Sequence, residues 1–345
     1  MAKEKQKHKR VKIVEDTRTL LQILPGKPPV GMRPYSKSGS SGTGREVSTS
    51  RALGPEGLVR ILHAQDRQRT YKEKHTGTRC IKQRTPISYE MYFEPNQYRF
   101  YLSVPTSSYR SISEHVKKAW VGSSVKVEED DYIEIFEEYP SSYCEIKFGK
   151  YYFFPMNFAS GEPLNSLINV AKGLKAGERM MFQTMMIPLK TSWQTKAREL
   201  YQTYRETGDP SPGIGWEEML KSAEKEITEV FDILTGSLLG LSEPESKKRS
   251  LPPEFHDKDA KFIQEKLSES AFKCMMRVFV SASSQGRRTE ILNEVAHALR
   301  CVEGKNLLEM SSVRYQVPID MARRYTGITQ ELGFNRNILR ISEIS

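Results

Sequence analysis

The alternation of apolar and polar residues predicts a β-hairpin between residues 87 and 104. Tyr89, Met91 and Phe93 form one side of an alternating run, a turn follows at Pro95-Asn96, and a second alternating run covers residues 98–104. A period of two on both sides of a turn is typical of two paired strands.

A helix and a further strand are predicted to complete this first unit. Ser111 and Glu114 have the spacing of a capping box, in which each side chain bonds the backbone N–H of the other residue. One helical face then carries the apolar residues Ile112, Val116, Ala119 and Trp120. The apolar run near Tyr132–Phe136 predicts the strand that follows this helix.

The same order of strand, helix and strand recurs from Phe272 to about Tyr315. One face of the predicted strand carries Phe272, Cys274, Met276, Val278 and Val280. One stripe of the predicted helix carries Ile291, Val295, Ala298, Leu299 and Val302, and a strand near Leu307–Val313 follows. The apolar faces of the two units predict that these residues lie in the core: Trp120, Met276, Val278, Val295 and Leu299.

Helices are predicted between the two units. A helix begins at about Glu162, and a long apolar strand covers Arg179–Leu189. Apolar stripes over residues 193–204 and 216–234 predict two more helices, which the Gly- and Pro-rich segment 208–213 separates. Two helices joined in this way are typical of an antiparallel αα-hairpin.

These elements predict an α+β protein with two ferredoxin-like α/β halves and an inserted αα-hairpin, preceded by a disordered basic leader. The first half would cover residues 85–160, and the second half, with the insertion, residues 161–320. Residues 1–84 are predicted to be mostly disordered, because they are basic and rich in Pro, Gly and Ser. The tail, residues 321–345, is predicted to lead toward a further domain that is missing or separate.

Charge is distributed unevenly along the chain, which carries a formal net charge of +10. Residues 1–86 contain 20 Lys and Arg against 7 Asp and Glu, while the remaining residues contain 33 against 36. The predicted body is therefore close to neutral. No stretch has the roughly 18–20 apolar residues of a membrane helix. We expect a cytoplasmic location, with a position at the inner face of the cell membrane left open.

The sequence offers no catalytic motif, so no enzyme activity, cofactor or metal is predicted. The Gly-rich string 39–46 has Arg45 and Glu46 where a Walker A loop needs Lys and Ser or Thr. No two histidines are four residues apart, and the four cysteines have no zinc-site spacing. Cys144 and Cys274 lie in apolar strands and are predicted to be buried thiols. The acidic run 128–131 is interpreted as a solvated turn.

A basic arm, residues 1–12, provides the candidate nucleic-acid-binding residues: Lys3, Lys5, Lys7, Lys9, Arg10 and Lys12. Such arms bind phosphates without sequence preference and with an affinity that falls steeply with salt. An anionic membrane surface attracts the same residues, and a solubilising tail without a partner also fits the composition. The composition leaves these three interpretations open.

Three strings give the chain a resemblance to a known family: residues 87–105, 151–201 and 272–309. Together they resemble the N-terminal, pre-ATPase region of conjugative DNA-transfer ATPases, the coupling proteins of type IV secretion in the HerA/FtsK-like group. The family has an RFY-x-x-VP strand, a YYFP…(D/E)PL segment, a GE…Q…P strand and a Trp-containing helix. The matching positions are Tyr151–Phe154, Pro155, Glu162-Pro163-Leu164, Gly177-Glu178, Gln183, Pro188 and Trp193.

The resemblance implies an accessory module of a DNA-translocating machine. Its partners would be a HerA/FtsK-like motor ATPase or other secretion subunits, DNA through the basic arm, and other copies in an oligomer. The Walker motifs of the family and its N-terminal membrane helices have no counterpart in this sequence. ATP hydrolysis is therefore not carried over to any residue.

Two other classes of function stay open at this point. One is a stand-alone nucleic-acid-binding protein of a mobile element or phage, which tight and salt-sensitive DNA binding would favour. The other is an enzyme whose site the sequence does not reveal, which a deep pocket with converging polar groups would favour.

Overall fold

The computed structural model describes residues 11–14, 18–24, 55–65, 69–72, 79–82, 86–120, 122–129, 132–157, 163–189, 192–207, 257–315 and 337–344. The strands are β1 Val11–Val14, β2 Arg18–Leu24, β3 Arg69–Lys72, β4 Arg79–Lys82, β5 Ile87–Glu94, β6 Gln97–Pro105, β7 Ser124–Glu128, β8 Ser141–Phe148, β9 Arg179–Pro188, β10 Ala271–Ser281, β11 Leu308–Met310 and β12 Ile338–Arg340. The α-helices are α1 Pro55–Gln65, α2 Tyr109–Ala119, α3 Ile135–Glu138, α4 Pro163–Ala171, α5 Ser192–Thr207, α6 Asp257–Ser268, α7 Gln285–Ala298 and α8 Ile341–Ile344. Short 3₁₀ segments cover Tyr132–Glu134 and Leu299–Val302.

One large antiparallel sheet organises the described residues. Its strands follow the order β11-β8-β10-β9-β5-β6-β2-β7, and β12 adds to β10 beside the end of β8. A separate small sheet in the same part of the chain has the order β1-β4-β3, with β1 parallel to β4. The prediction of an α+β protein is confirmed.

The large sheet divides into two sets of four strands that meet where β5 pairs with β9. In the first set, the chain runs β2-α1-β5-β6-α2-β7, and the strands lie in the order β7-β2-β6-β5. In the second set, the strands β8, β9, β10 and β11 lie in the order β11-β8-β10-β9. If each set is numbered one to four along the chain, both have the spatial order 4-1-3-2.

Helices pack on one face of the large sheet, which we call the helical face. The buried side chains of α1, α2, α4 and α7 join those of alternate strand positions in one apolar core. His63 of α1, for example, makes an edge contact with Phe272 of β10 at a ring-centroid distance of 5.1 Å. Because successive side chains of a strand point to opposite faces, every second residue enters this core.

The opposite face, which we call the second face, has a smaller aromatic cluster beneath α3. Tyr132 stacks on Tyr101 at a centroid distance of 4.2 Å, and Tyr143 stacks on Phe279 at 5.6 Å. Phe136 of α3 contacts the ring of Phe279 at a centroid distance of 6.0 Å. The connection between the two sets of strands is therefore part of the packed structure.

The structure corrects several details of the sequence predictions. Residues 18–24 form β2 inside the large sheet and α1 contributes to its core, so the ordered body does not begin near residue 85. β8 lies before residue 160, in the predicted first half, and pairs with β10 in the predicted second half. The predicted strand at 132–136 is a 3₁₀ segment followed by α3.

Four of the five predicted core residues are buried: Met276, Val278, Val295 and Leu299. Trp120 is only partly buried and packs against the core from its margin. Of the predicted αα-hairpin, α5 lies among the described residues, whereas the helix predicted at 216–234 lies outside them.

Candidate functional site

A row of polar residues crosses the second face where the two sets of strands meet. Glu90 of β5 is opposite Gln183 of β9, Gln183 is opposite Arg277 of β10, and Arg277 is opposite Glu145 of β8. The exposed fraction is 0% for Glu90, Gln183 and Arg277, and 5% for Glu145. Charged residues are rarely buried so completely without partners. This row is therefore the candidate functional site.

The carboxylate of Glu90 is held by hydrogen bonds from both sides. Ser88 Oγ donates to Oε1 over 2.5 Å, and Gln183 Nε2 donates to the same oxygen over 3.0 Å. The Tyr132 hydroxyl donates to Oε2. These donors satisfy a buried negative charge and tie together β5, β9 and the segment that leads into α3.

The other half of the row contains Arg277 and Glu145. Arg277 Nη2 donates a hydrogen bond to the Met185 sulfur over 2.6 Å. Glu145 Oε2 lies 2.8 Å from Lys147 Nζ. The row thus brings two carboxylates and one guanidinium into the middle of the sheet. A shift of one residue in the β5–β9 pairing would turn Glu90 toward the apolar core, so these side chains fix the register between the two sets of strands.

We expect Gln183→Leu to lower the free energy of unfolding by about 1–3 kcal/mol, because Glu90 loses a donor while staying buried. The matched control is Gln97→Leu, at an exposed position of β6, with an expected change within about 0.5 kcal/mol. Urea denaturation of both variants measures the difference. Equal stability of the two variants would show that the polar row does not stabilise the pairing between the two sets of strands.

The hydroxyl of Tyr92 extends the polar row toward the end of β5. It donates to Glu94 Oε1 over 2.8 Å, and Arg99 and Arg179 each approach a Glu94 oxygen to 3.5 Å. Burial, and then the Glu94 carboxylate, raises the pKa of Tyr92. The phenol therefore stays protonated at neutral pH and acts as a hydrogen-bond donor.

The cysteine prediction is confirmed for Cys144 and Cys274, which are fully buried. Burial raises the pKa of Cys144 to about 12 and raises that of Cys274 as well. A thiol that stays protonated is a poor nucleophile and a poor metal ligand. Among the described residues, no three His, Cys, Asp or Glu side chains lie together as metal ligands.

The structure describes little of the predicted nucleic-acid-binding arm. Lys12 lies in β1, opposite Cys80 of β4, while Lys3, Lys5, Lys7, Lys9 and Arg10 fall outside the described residues. The strands β1, β3 and β4 contain five Lys or Arg in twelve residues and no acidic residue. Lys12 therefore belongs to a small sheet with a strongly basic sequence.

The residues that carry the family resemblance surround β9. Gly177, with φ of +85°, makes the turn before β9, and Glu178 after it accepts from Arg287 Nε over 3.1 Å. Pro188 ends β9, and Trp193 is buried on α5. The aromatic segment Tyr151–Phe154 packs on α5 through ring contacts with Tyr201 and Tyr204. Glu162 lies outside the described residues.

The polar row was not predicted from the sequence, although the strands contain a signal for it. Glu90, Gln183 and Arg277 each interrupt a strand that is otherwise largely apolar or aromatic. What the sequence does not contain is the pairing that places the three side chains side by side.

Comparison with known proteins gives a family for the chain. The family model described as "Domain of unknown function (DUF8128)" matches residues 60–307. The chain belongs to this family. The DUF8128 match begins within α1 and includes β5 to β10, but not β2, β11 or β12.

No curated protein and no solved structure matches the chain. In addition, no helix in the described parts of the chain is long and apolar enough to cross a membrane. Membership of the DUF8128 family therefore names no activity, and the function must be argued from the chain itself.

Proposed function

We propose that this DUF8128 protein is a non-catalytic assembly module of a conjugative DNA-transfer machine, similar to type IV secretion. It would work in the cytoplasm with a separate HerA/FtsK-like DNA-translocating ATPase. The observation that supports this most is the position of the residues that carry the resemblance. Gly177-Glu178 lead into β9 and Pro188 ends it, and the aromatic segment Tyr151–Phe154 contacts α5, the helix that carries Trp193.

We also propose that the two sets of strands are ferredoxin-like halves. The spatial order 4-1-3-2, with strand–helix–strand crossings that pack on one face, supports this interpretation. Two such halves joined edge to edge form a wide, stiff platform. The fold by itself names no function, so the proposed role is tested through the partner.

Co-purification tests the partner. The chain, carrying an affinity tag, would be isolated from its native cells at its natural level, and the retained proteins would be identified by mass spectrometry. We expect an ATPase with Walker A and Walker B motifs in a fixed ratio to the chain. Recovery of secretion subunits without any such ATPase would contradict the proposed partnership with a motor.

We expect the basic arm to provide most of any affinity for DNA. Changing Lys3, Lys5, Lys7, Lys9 and Arg10 to Gln should reduce the slope of log affinity against log salt by up to about 4.5 on duplex DNA, or ~0.9 per phosphate contact. The substitutions leave Lys12 in place, because deletion of residues 1–12 would also remove part of β1. Fluorescence anisotropy at several salt concentrations measures the slope.

The control for this experiment changes exposed basic residues of the body instead: Lys117, Lys118 and Lys172 to Gln. Its slope should equal that of the unchanged chain. If the arm variant kept its slope, binding would reside elsewhere, and the segment Lys247-Lys248-Arg249 would be changed next. Tight, salt-steep binding without any motor partner would favour the alternative, a stand-alone nucleic-acid-binding protein.

A further inference from the structure

The strand β7 forms an edge of the large sheet. In the part of the chain that the structure describes, β7 pairs with β2 alone. Its residues are largely accessible, and Val127 is 47% exposed. The hydrogen bonds and ion pairs of residues 124–128 are all made with other described residues. An open strand edge presents unpaired backbone N–H and C=O groups to another strand.

The side chains of β7 carry opposite charges on one face. Lys126 and Glu128 are two residues apart and therefore point to the same side of the sheet. Their charged groups lie 3.0 Å apart, and the Lys126 side chain is 62% exposed. Charged side chains on an edge strand oppose self-pairing where like charges meet. Because β7 carries both signs of charge, one register can bring opposite charges together.

Antiparallel pairing of β7 with a second β7 has few possible registers. A two-fold axis at Lys126 would place two lysines opposite each other, and an axis at Glu128 would place two glutamates opposite each other. An axis at Val127 places Lys126 of each copy opposite Glu128 of the other copy. Directly opposite residues on paired strands are close neighbours, so opposite charges favour this register and like charges disfavour the others.

We propose that β7 is a self-association surface through which a second copy of this chain pairs antiparallel, with Val127 at the two-fold axis. The two large sheets then continue into one sheet. Val127 meets its own equivalent, and two reciprocal Lys126–Glu128 pairs flank it. A five-residue edge buries less than the roughly 1,200 Å² of a stable interface, so the dimer is weak and depends on concentration.

Sedimentation equilibrium of the full chain, from about 1 µM to about 200 µM, tests the proposal. It is repeated with variants in which the charges of Lys126 and Glu128 are reversed singly and together. The unchanged chain should show a reversible monomer–dimer equilibrium. Lys126→Glu and Glu128→Lys, each alone, should weaken self-association at least about tenfold, because each variant places like charges opposite each other. An equimolar mixture of the two single variants should form heterodimers, and the double variant should dimerise like the unchanged chain.

Thermal unfolding of each variant verifies that the fold is retained. This check is needed because the Glu128 side chain is only 19% exposed. A chain that stays monomeric at about 200 µM would overturn the proposal. Dimerisation of both single variants with unchanged affinity would overturn it too, because the dimer would then use another surface. The result is independent of DNA binding and of the motor partner.

Discussion

Val278→Asp is expected to abolish cooperative folding. Val278 is fully buried in β10, with Cys144 of β8 opposite it on one side and Phe182 of β9 on the other. The residues opposite this position on β8 and β9 are uncharged, so the carboxylate meets no counter-charge from the neighbouring strands, and an unpaired buried charge costs several kcal/mol. The whole stability of a domain is ~5–15 kcal/mol. Loss of the near-ultraviolet circular dichroism signal, or of the unfolding transition, would record the effect.

The same substitution at an exposed strand position is the control. At about 1 µM, where the proposed dimer is dissociated, Val127→Asp on β7 should change the free energy of unfolding by less than about 1 kcal/mol, because its carboxylate stays in water. If Val278→Asp unfolded with the same midpoint as Val127→Asp, the assignment of the helical face would be wrong.

Glu343→Ala is expected to lower the free energy of unfolding by about 3–5 kcal/mol. Glu343 Oε2 lies 3.1 Å from Lys266 Nζ, and the two side chains are 2% and 0% exposed. The same carboxylate accepts from the backbone N–H groups of Met156 and Arg340 over 2.9 Å each. Removal of the carboxylate leaves the Lys266 ammonium buried without its counter-charge. Urea denaturation measures the loss.

The pH dependence of this loss has a definite sign. Burial lowers the pKa of Lys266, and the Glu343 carboxylate opposes that shift. Without Glu343 the pKa falls further, so Lys266 in the folded variant releases its proton at a lower pH. A neutral lysine needs no counter-charge. The difference between the variant and the unchanged chain should therefore shrink as the pH rises from about 7 to about 10.

Two controls accompany the Glu343 experiment. Glu114→Ala removes an exposed pair with Lys117, and we expect a change within about 0.5 kcal/mol. The double variant Lys266→Met with Glu343→Gln removes both charges and should recover most of the lost stability. A loss below about 1 kcal/mol for Glu343→Ala would show that α8 is not anchored by this pair.

Local periodicity predicted the elements whose residues are close in the sequence. The hairpin of β5 and β6, the helices α2 and α7, and the strands β9 and β10 follow from periods of two and 3.6. The segment 132–136 was misassigned because Tyr-Ile-Glu-Ile-Phe alternates like a strand. The buried residues Ile133 and Phe136 are three positions apart, which is a helical spacing.

Pairing over long distances could not be predicted from the sequence. β2 lies in a basic, Pro- and Gly-rich region, and its partners β6 and β7 are about 80–100 residues further along the chain. Composition averaged over the region hid the short apolar run Leu20–Leu24. The polar row was missed for the same reason, since Glu90, Gln183 and Arg277 become neighbours only through strand register.

Direct binding to the motor tests the central proposal most closely. The purified chain would be titrated into the purified HerA/FtsK-like ATPase of the same cell by isothermal titration calorimetry. We expect a saturable complex with a dissociation constant of about 1 µM or tighter. Absence of measurable heat and of a complex at about 50 µM, with both proteins folded, would contradict the proposal that this chain is the accessory module of such a motor.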